Sequence, residues 1–282
     1  MRNWDDLQTI LALGRAGTMK GAAAVLSVSE TTISRRIQKI TEGDGAALFD
    51  RNGHKWTPTS LGAQLIEVAE RVEAEIIAAE TQVEAQSDRL TGVLKISSLS
   101  FINTHFITPH VARFQLKHPG LTIMLDASDD VVSLAYRQAD IALRLSRPSE
   151  GRLIAKRLCS IPMIAFSRRG ESPRDWVGLT ENLDWTPEMK TGFAHFGRAP
   201  LVRLDSFDGI LNAAEATGMG GVAPTCMVHQ RRRLQAASAP SKREIWLTYH
   251  EDLRGSLRAR AGVDWLDEVL GDRNCLCGEC TD

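Results

Sequence analysis

Between Ser29 and Ile40 the chain offers side chains that could hydrogen-bond to the edges of stacked bases: Thr31, Thr32, Ser34, Arg35, Arg36, Gln38 and Lys39. Wound as a helix at roughly 100° per residue, the segment gathers Ile33, Ile37 and Ile40 into one narrow stripe. Thr31, Thr32, Arg35, Gln38 and Lys39 then fall on the opposite side, with Ser34 and Arg36 at the flanks. Short hydroxyls near a helix start permit close approach, and long cations reach base edges or phosphates. An ordinary solvated helix face has the same composition. The residues that follow weigh against that plainer reading. Leu48-Phe49-Asp50-Arg51, Asn52-Gly53 and Lys55-Trp56-Thr57 read as a β-hairpin with a tight Asn-Gly turn, and Arg51 and Lys55 stand on it where they could hold phosphates.

Other reactive groups carry weaker signals. Gly218-Met219-Gly220-Gly221 precedes a strand instead of opening a helix, so it reads as a turn and not a phosphate cradle. Cys159 and Cys226 are isolated, have no recognisable histidine partner, and read as small buried apolar residues. Cys275, Cys277 and Cys280, with Glu279 or Asp282, could form a zinc shell, but three ligands in a terminal tail are incomplete and a frayed end is the better reading. Arg231-Arg232-Arg233 reads as solvated loop charge. No nucleophile-base pair or acidic dyad has convincing spacing, so no catalytic residue, metal site or cofactor is expected.

Composition sets the frame for these groups. With 282 residues, 43% of them hydrophobic, the chain can build more than one buried core. A net charge of −1 conceals an acidic stretch between Leu61 and Leu90, with Glu67, Glu70, Glu73, Glu75, Glu80, Glu84 and Asp88. The strongly basic footprint usual in nucleic-acid binders is missing, so that function has to rest on pattern. No apolar run reaches the roughly 18 residues that span a bilayer, and Met1–Asp6 opens polar and charged. A cytoplasmic protein without membrane contact is expected.

The elements that must hold these residues follow in order. Asn3 caps a first helix carrying Leu7, Ile10 and Leu11 until Gly14 and Gly17 interrupt it. Thr18 caps a second, with Ala22, Ala23 and Leu26 on its packing face, and Ser27-Val28-Ser29 turns into the third, which runs to about Ile40. From Thr59 a long helix carries Leu61, Leu65, Val68, Val72, Ile76, Ala79, Val83 and Leu90 at spacings of three and four, and its seam suits pairing with a second copy. Part of its length could instead pack on its own C-terminal domain. After Gly92 strands and helices alternate: strands at Val93–Ser97, Thr122–Leu125 and Ile141–Leu145, with helices marked by Ile107, Val111 and Phe114, then by Val131, Leu134 and Ala135. A second unit has strands at Met163–Phe166, Val202–Leu204 and Gly220–Ala223 and a helix through Phe207 and Ile210. The chain returns through Trp246–Tyr249 into a helix bearing Leu257, Trp265 and Val269. Two such lobes joined by crossing strands enclose a cleft, a preferred ligand site.

Residues 1–65 resemble the LysR-type transcriptional regulators. The motifs are Trp4-Asp5-Asp6-Leu7, Ala16-Gly17-Thr18, Gly21-Ala22-Ala23, Leu26-Ser27-Val28-Ser29, Ile33-Ser34-Arg35-Arg36-Ile37, Leu48-Phe49-Asp50-Arg51 and Thr59-Ser60-Leu61-Gly62, in the family's order and nearly its spacing. Beyond residue 65 the likeness is one of topology. The family's usual Gln-Pro-Ala at the start of the third helix is here Glu30-Thr31-Thr32, so its base preference does not transfer.

The resemblance implies an α/β fold with an N-terminal all-α winged helix-turn-helix (1–60), a linker and dimerisation helix (61–90) and a two-lobed, periplasmic-binding-protein-like effector domain (91–282). Lobe one would take about 91–160 and 247–272, lobe two about 161–246, and 273–282 would be a cysteine-rich tail. It implies a bacterial regulator in which Ser34, Arg35 and Arg36 contact DNA, with Arg51 on the wing, beside the candidates Thr31, Thr32, Lys39 and Lys55. A small-molecule effector would meet Ser98, Ser100 and Phe101, then Ser206, Gly220 and Val222. Arg144, which the likeness sets near the lobe junction, could grip an anionic effector bidentately or form a surface salt bridge. The implied partners are double-stranded promoter DNA, the effector, further copies of the chain as dimer or tetramer, and RNA polymerase. A solute-binding protein or an enzyme using the same cleft is the rival reading.

Overall fold

The structure, a computed structural model, describes residues 3–85, 90–127, 139–148 and 152–271. The expected helix at Val131, Leu134 and Ala135 and the cysteine tail lie outside these residues.

Asn3 starts α1 (Trp4–Ala16), its side chain accepting from the Asp6 backbone N–H at 2.9 Å. The expected interruption at Gly14 does not occur. The helix passes through it and stops at Gly17, whose φ of 61° turns its N–H back to the Leu13 carbonyl. Gly14 serves packing instead, since a Cβ there would lie 2.3 Å from Ile66 Cδ1. Thr18 caps α2 (Met19–Leu26) and Ser29 caps α3 (Glu30–Asp44), each through its hydroxyl. α3 extends past Ile40 to Asp44, because no breaker stops it before Gly45 turns left-handed with φ 67°. β1 (Phe49–Asn52) and β2 (Lys55–Pro58) form the hairpin, but Asn52 pairs with Lys55, so the turn is Gly53-His54 and not Asn52-Gly53. Gly53, at φ 63°, takes the first central position of the turn, where glycine is preferred. Ile10, Leu13, Ile33, Ile37, Ile40, Leu48 and Phe49 close a core of their own.

α4 (Ser60–Ala85) spans 26 residues, about 40 Å. Thr59 accepts from the Gly62 N–H at 3.1 Å and ends the turn from β2. Leu90 lies beyond the helix. Leu65 and Ile66 pack on the N-terminal core, and farther along Ile77, Glu80 and Thr81 face Ala139, His250 and Leu253 of the second domain. The expected seam is only partly covered within one chain: Val72 and Ile76 are half-buried, and Val83 is 71% exposed.

The described residues that remain build one curled nine-stranded sheet. In the first lobe β3 (Gly92–Ser98) pairs in parallel with both β4 (Leu121–Ala127) and β5 (Ile141–Arg144). Between β3 and β4 the helical run Ser100–His110, with a π-helical turn at Asn103–Ile107, leads into α5 (Val111–Lys117). β6 (Leu153–Arg168) is far longer than the expected Met163–Phe166. Pro162 reads as a break, yet it stands where β6 passes from its partner β11 (Ser241–His250) to β9 (Gly220–Pro224), at the end of one ladder and the start of the next. β6 and β11 run antiparallel and cross from lobe to lobe, with a bulge between Ile245 and Trp246.

In the second lobe β7 (Trp176–Leu179), β8 (Val202–Leu204) and β9 are parallel. Around them lie α6 (Pro187–Phe196), α7 (Phe207–Thr217) and α8 (Thr225–His229), and β10 (Leu234–Ala236) edges β6. β7 and α6 were not expected. β7 is buried at every position, so it lacks alternation, and a Cβ at its Gly178 would lie 3.0 Å from both Met189 and Pro200, a tight fit. α9 (Leu257–Leu270) closes over the first lobe.

Candidate nucleic-acid interface and interlobe cleft

On α3, Ile33 is fully buried and Ile37 and Ile40 are 6% exposed, while Thr31, Ser34, Arg35, Gln38 and Lys39 face solvent. Thr32 and Arg36 lie between. The Ser29 hydroxyl sits 2.7 Å from Thr31 Oγ1 and 2.8 Å from Thr32 Oγ1, so the cap also orients the first two hydroxyls of the helix. The wing stands beside this face. Arg51 lies over the Trp56 ring at 5.8 Å and its Nε donates to the Gly53 carbonyl at 3.0 Å, holding the guanidinium at the turn, and Lys55 is exposed. Glu30 and Ser34 of α3, Arg51 and Trp56 of the wing and Lys20 of α2 line one groove. Lys20 and His54 belong to that groove and were missed, since neither stands out from its neighbours in sequence.

The head is braced on α4. Arg15 grips Glu73 with two nitrogens, at 2.8 and 3.3 Å, and lies 3.7 Å from Glu70. Part of the acidic stretch therefore pairs within the chain.

A cleft of about 250 Å³ opens between the lobes. Leu99, Ser100 and Phe101 enter it from the end of β3, Arg144 and Leu145 from the end of β5, Leu179 from β7, Asp205, Ser206 and Phe207 from the start of α7. Of the seven expected effector residues, Ser100, Phe101, Arg144 and Ser206 meet there. Ser98, Gly220 and Val222 do not line it: Ser98 is buried and donates to Asn103 Oδ1, Gly220 lies under the Phe196 ring, and Val222 is 3% exposed in the second lobe. Arg144 Nη1 donates to the Ser97 and Leu143 carbonyls, at 3.1 and 2.9 Å, and Nη2 to Ser97 Oγ at 3.0 Å, so the guanidinium is fixed at the cleft rim by its own lobe.

The far wall holds residues that sequence reasoning missed. Glu188, in the first turn of α6, lies 3.1 Å from Arg243 Nε of β11, with 3% and 11% of their side chains exposed. Burial pushes the Glu188 carboxyl up from the ordinary carboxylate range. Arg243, a backbone N–H and the nearby Thr186 hydroxyl pull it down without cancelling that effect. Glu188 Oε2, Arg243 Nε and Thr186 Oγ1 are all buried without a well-formed hydrogen bond. Pro187 marks a helix start, but nothing in sequence pairs positions 188 and 243. Between the lobes His105 meets Asp208, and the Phe101 and Phe207 rings stack edge to face at 5.2 Å. The described residues hold no group of three metal-ligating side chains, and none of their helices is long and apolar enough to cross a membrane.

A winged helix-turn-helix head on a long helix, followed by two lobes around a ligand-sized cleft, defines a transcription regulator with a ligand-binding domain. The bacterial regulatory helix-turn-helix, lysR family, matches residues 4–63, and the LysR substrate binding domain matches residues 87–271. The chain belongs to the LysR family of DNA-binding transcription regulators. It is 29% identical over 276 residues to the Mau operon transcriptional activator of Paracoccus denitrificans, covering 96% of this chain and 97% of that one. It is also 29% identical over 156 residues to the HTH-type transcriptional regulator CrgA of Neisseria meningitidis serogroup B, covering 55% of this chain and 52% of that one. Two solved structures share the fold. CrgA of Neisseria meningitidis matches with a TM-score of 0.58 at 21% identity over 96% of this chain and 100% of that one. Full-length OxyR of Pseudomonas aeruginosa matches with 0.63 at 15% identity over 96% and 98%.

Proposed function

We propose that the chain binds double-stranded promoter DNA as a cytoplasmic dimer and that an anionic metabolite between the lobes alters how its two heads are presented. Ser34, Arg35 and Arg36 of α3 read or hold the duplex together with Thr31, Thr32 and Lys39, and Arg51 and Lys55 anchor the wing to phosphates. Arg144 grips the effector's carboxylate, Ser100, Phe101 and Ser206 contact its body, and Ser98, Gly220 and Val222 support the cleft from behind. No catalytic role is assigned in this reading, in keeping with the transcription regulators among the chain's relatives. Tetramer formation and contact with RNA polymerase extend the same scheme.

The observation that carries it is the division of α3, with isoleucines inward and hydroxyls and cations outward beside Arg51 of the wing. The partly covered seam of α4 supports pairing, which would set two α3 helices at two half-sites. The test is a salt-titrated binding assay on the DNA upstream of the protein's own gene. Site preference over random duplex is expected with a steep salt slope, and changing Ser34, Arg35 and Arg36 together to Ala should remove the preference and flatten the slope. A triple variant that still discriminated its site would refute the assignment of α3.

A further inference from the structure

Three buried polar atoms of residues lining the cleft make no well-formed hydrogen bond: Glu188 Oε2, Arg243 Nε and Thr186 Oγ1. The carboxylate and guanidinium form an ion pair at 3.1 Å with the Thr186 hydroxyl beside them, which leaves hydrogen-bonding capacity on a donor, an acceptor and a hydroxyl. Leu99, Phe101, Leu145 and Phe207 also line the cleft. On β11, Arg243 is separated from Trp246, the cross-strand partner of Arg144, by about 10 Å at 3.3 Å per residue. Two polar groups about 10 Å apart along the strand, Arg144 and the Glu188–Arg243 pair, thus share a cleft with four apolar side chains.

We infer that the effector carries, at the end remote from its carboxylate, a neutral group that both donates and accepts a hydrogen bond, a hydroxyl or a carboxamide. This rests on the proposal that Arg144 holds a carboxylate. The chemistry of the pair excludes other tips. A cationic tip would stand against Arg243 and an anionic one against Glu188. An apolar tip would cover the pair while leaving the remaining hydrogen-bonding capacity of its donor and acceptor unfilled. A hydroxyl oxygen accepts from Arg243 Nε–H and donates its own proton to Glu188 Oε2, and Thr186 serves a carboxamide or a second hydroxyl. Sites built around such groups reject analogues that lack the polar atom.

The test uses the full chain and matched carboxylates: 6-hydroxyhexanoate against hexanoate, 4-hydroxyphenylacetate against phenylacetate, and 4-carbamoylbenzoate against 4-methylbenzoate. Calorimetric titration and ligand-shifted melting should show the polar-tipped member binding at least tenfold tighter. E188L/R243M, which replaces the pair by apolar side chains, should erase that preference while the melting shift still depends on Arg144. Thr186→Val, a small change of nearly equal volume, should reduce the preference several-fold and keeps the test available if the double variant does not fold. Equal affinity within the pairs, or a preference that survives in both variants, overturns the inference and leaves the Arg144 proposal standing. Melting shifts that Arg144→Ala does not diminish, or no shift with any probe, overturn the Arg144 proposal and this inference with it.

Discussion

His105 Nε2 lies 3.1 Å from Asp208 Oδ1 and 3.3 Å from Oδ2, joining the π-helical turn of the first lobe to the first turn of α7 in the second. The side chains are 22% and 37% exposed, so water screens the contact and its contribution to stability is at most about 1 kcal/mol. Its position matters more than its strength, because any change in the angle between the lobes stretches it. Asp208→Ala is expected to leave the melting temperature nearly unchanged and to shift effector affinity several-fold. Phe207→Ala, which empties the adjoining aromatic contact, should cost about 3–5 kcal/mol. An Asp208 variant with unaltered affinity would show that the contact does not bear on closure.

Gly62 and Gly14 both let α4 approach the head, but at different cost when filled. A Cβ at Gly62 would meet the Leu48 carbonyl oxygen at 1.9 Å, backbone that cannot rotate away, whereas at Gly14 it would meet the mobile end of Ile66 at 2.3 Å. Alanine gains up to about 1 kcal/mol in helix propensity at either position. Overpacking costs about 1–3 kcal/mol or more, and a rigid neighbour puts Gly62→Ala at the upper end. Gly62→Ala should therefore destabilise the protein by more than about 2 kcal/mol and weaken DNA binding by tilting the head, while Gly14→Ala should stay within about 1 kcal/mol. Urea unfolding and operator binding of the two variants check the order, and equal losses would contradict it.

The head was readable because its signals are local. Asn3, Thr18 and Ser29 each cap the helix that follows them, and one turn of arithmetic placed Ile33, Ile37 and Ile40 inside. The hairpin turn slipped by one residue because Asn-Gly and Gly-His both suit a tight turn, and only the pairing of Asn52 with Lys55 decides between them. The cleft was half legible. Ser100, Phe101, Arg144 and Ser206, to which the family resemblance pointed, line it from strand ends and a helix start. Glu188 and Arg243 meet only because α6 packs beside β11, a long-range fact without local trace.

Burial pushes the Cys226 thiol up to about 11, so at pH 8 about one molecule in a thousand carries the reactive thiolate, and Cys159 is 3% exposed. Both should resist iodoacetamide at pH 8 in the native protein, at least a hundredfold more slowly modified than after denaturation. Peptide mapping separates them from Cys275, Cys277 and Cys280, which lie outside the described residues. Rapid native labelling of Cys226 would mean that α8 opens far more readily than its packing implies.

The Glu188–Arg243 pair should behave asymmetrically when halved. Glu188→Leu strands a nearly buried guanidinium that cannot lose its charge, at a cost of about 3–5 kcal/mol at any pH near neutrality. Arg243→Met strands a carboxyl that can take up a proton. In the native protein the Glu188 carboxyl already titrates above its unfolded value of 4.5, so the unfolded chain releases that proton first. The stability it contributes is complete below 4.5 and is lost as pH rises through the folded value. Without Arg243 the lowering influence of the guanidinium disappears, the folded value climbs further, and the loss extends to higher pH. Urea midpoints between pH 5 and 8 should therefore fall with pH more steeply for R243M than for the native chain, while E188L loses this dependence. E188L/R243M should recover most of the stability of either single change, because two apolar side chains carry no buried charge. An R243M variant whose urea midpoint falls no more steeply with pH than that of the native chain would mean that water reaches the carboxyl and that the wall of the cleft is not closed.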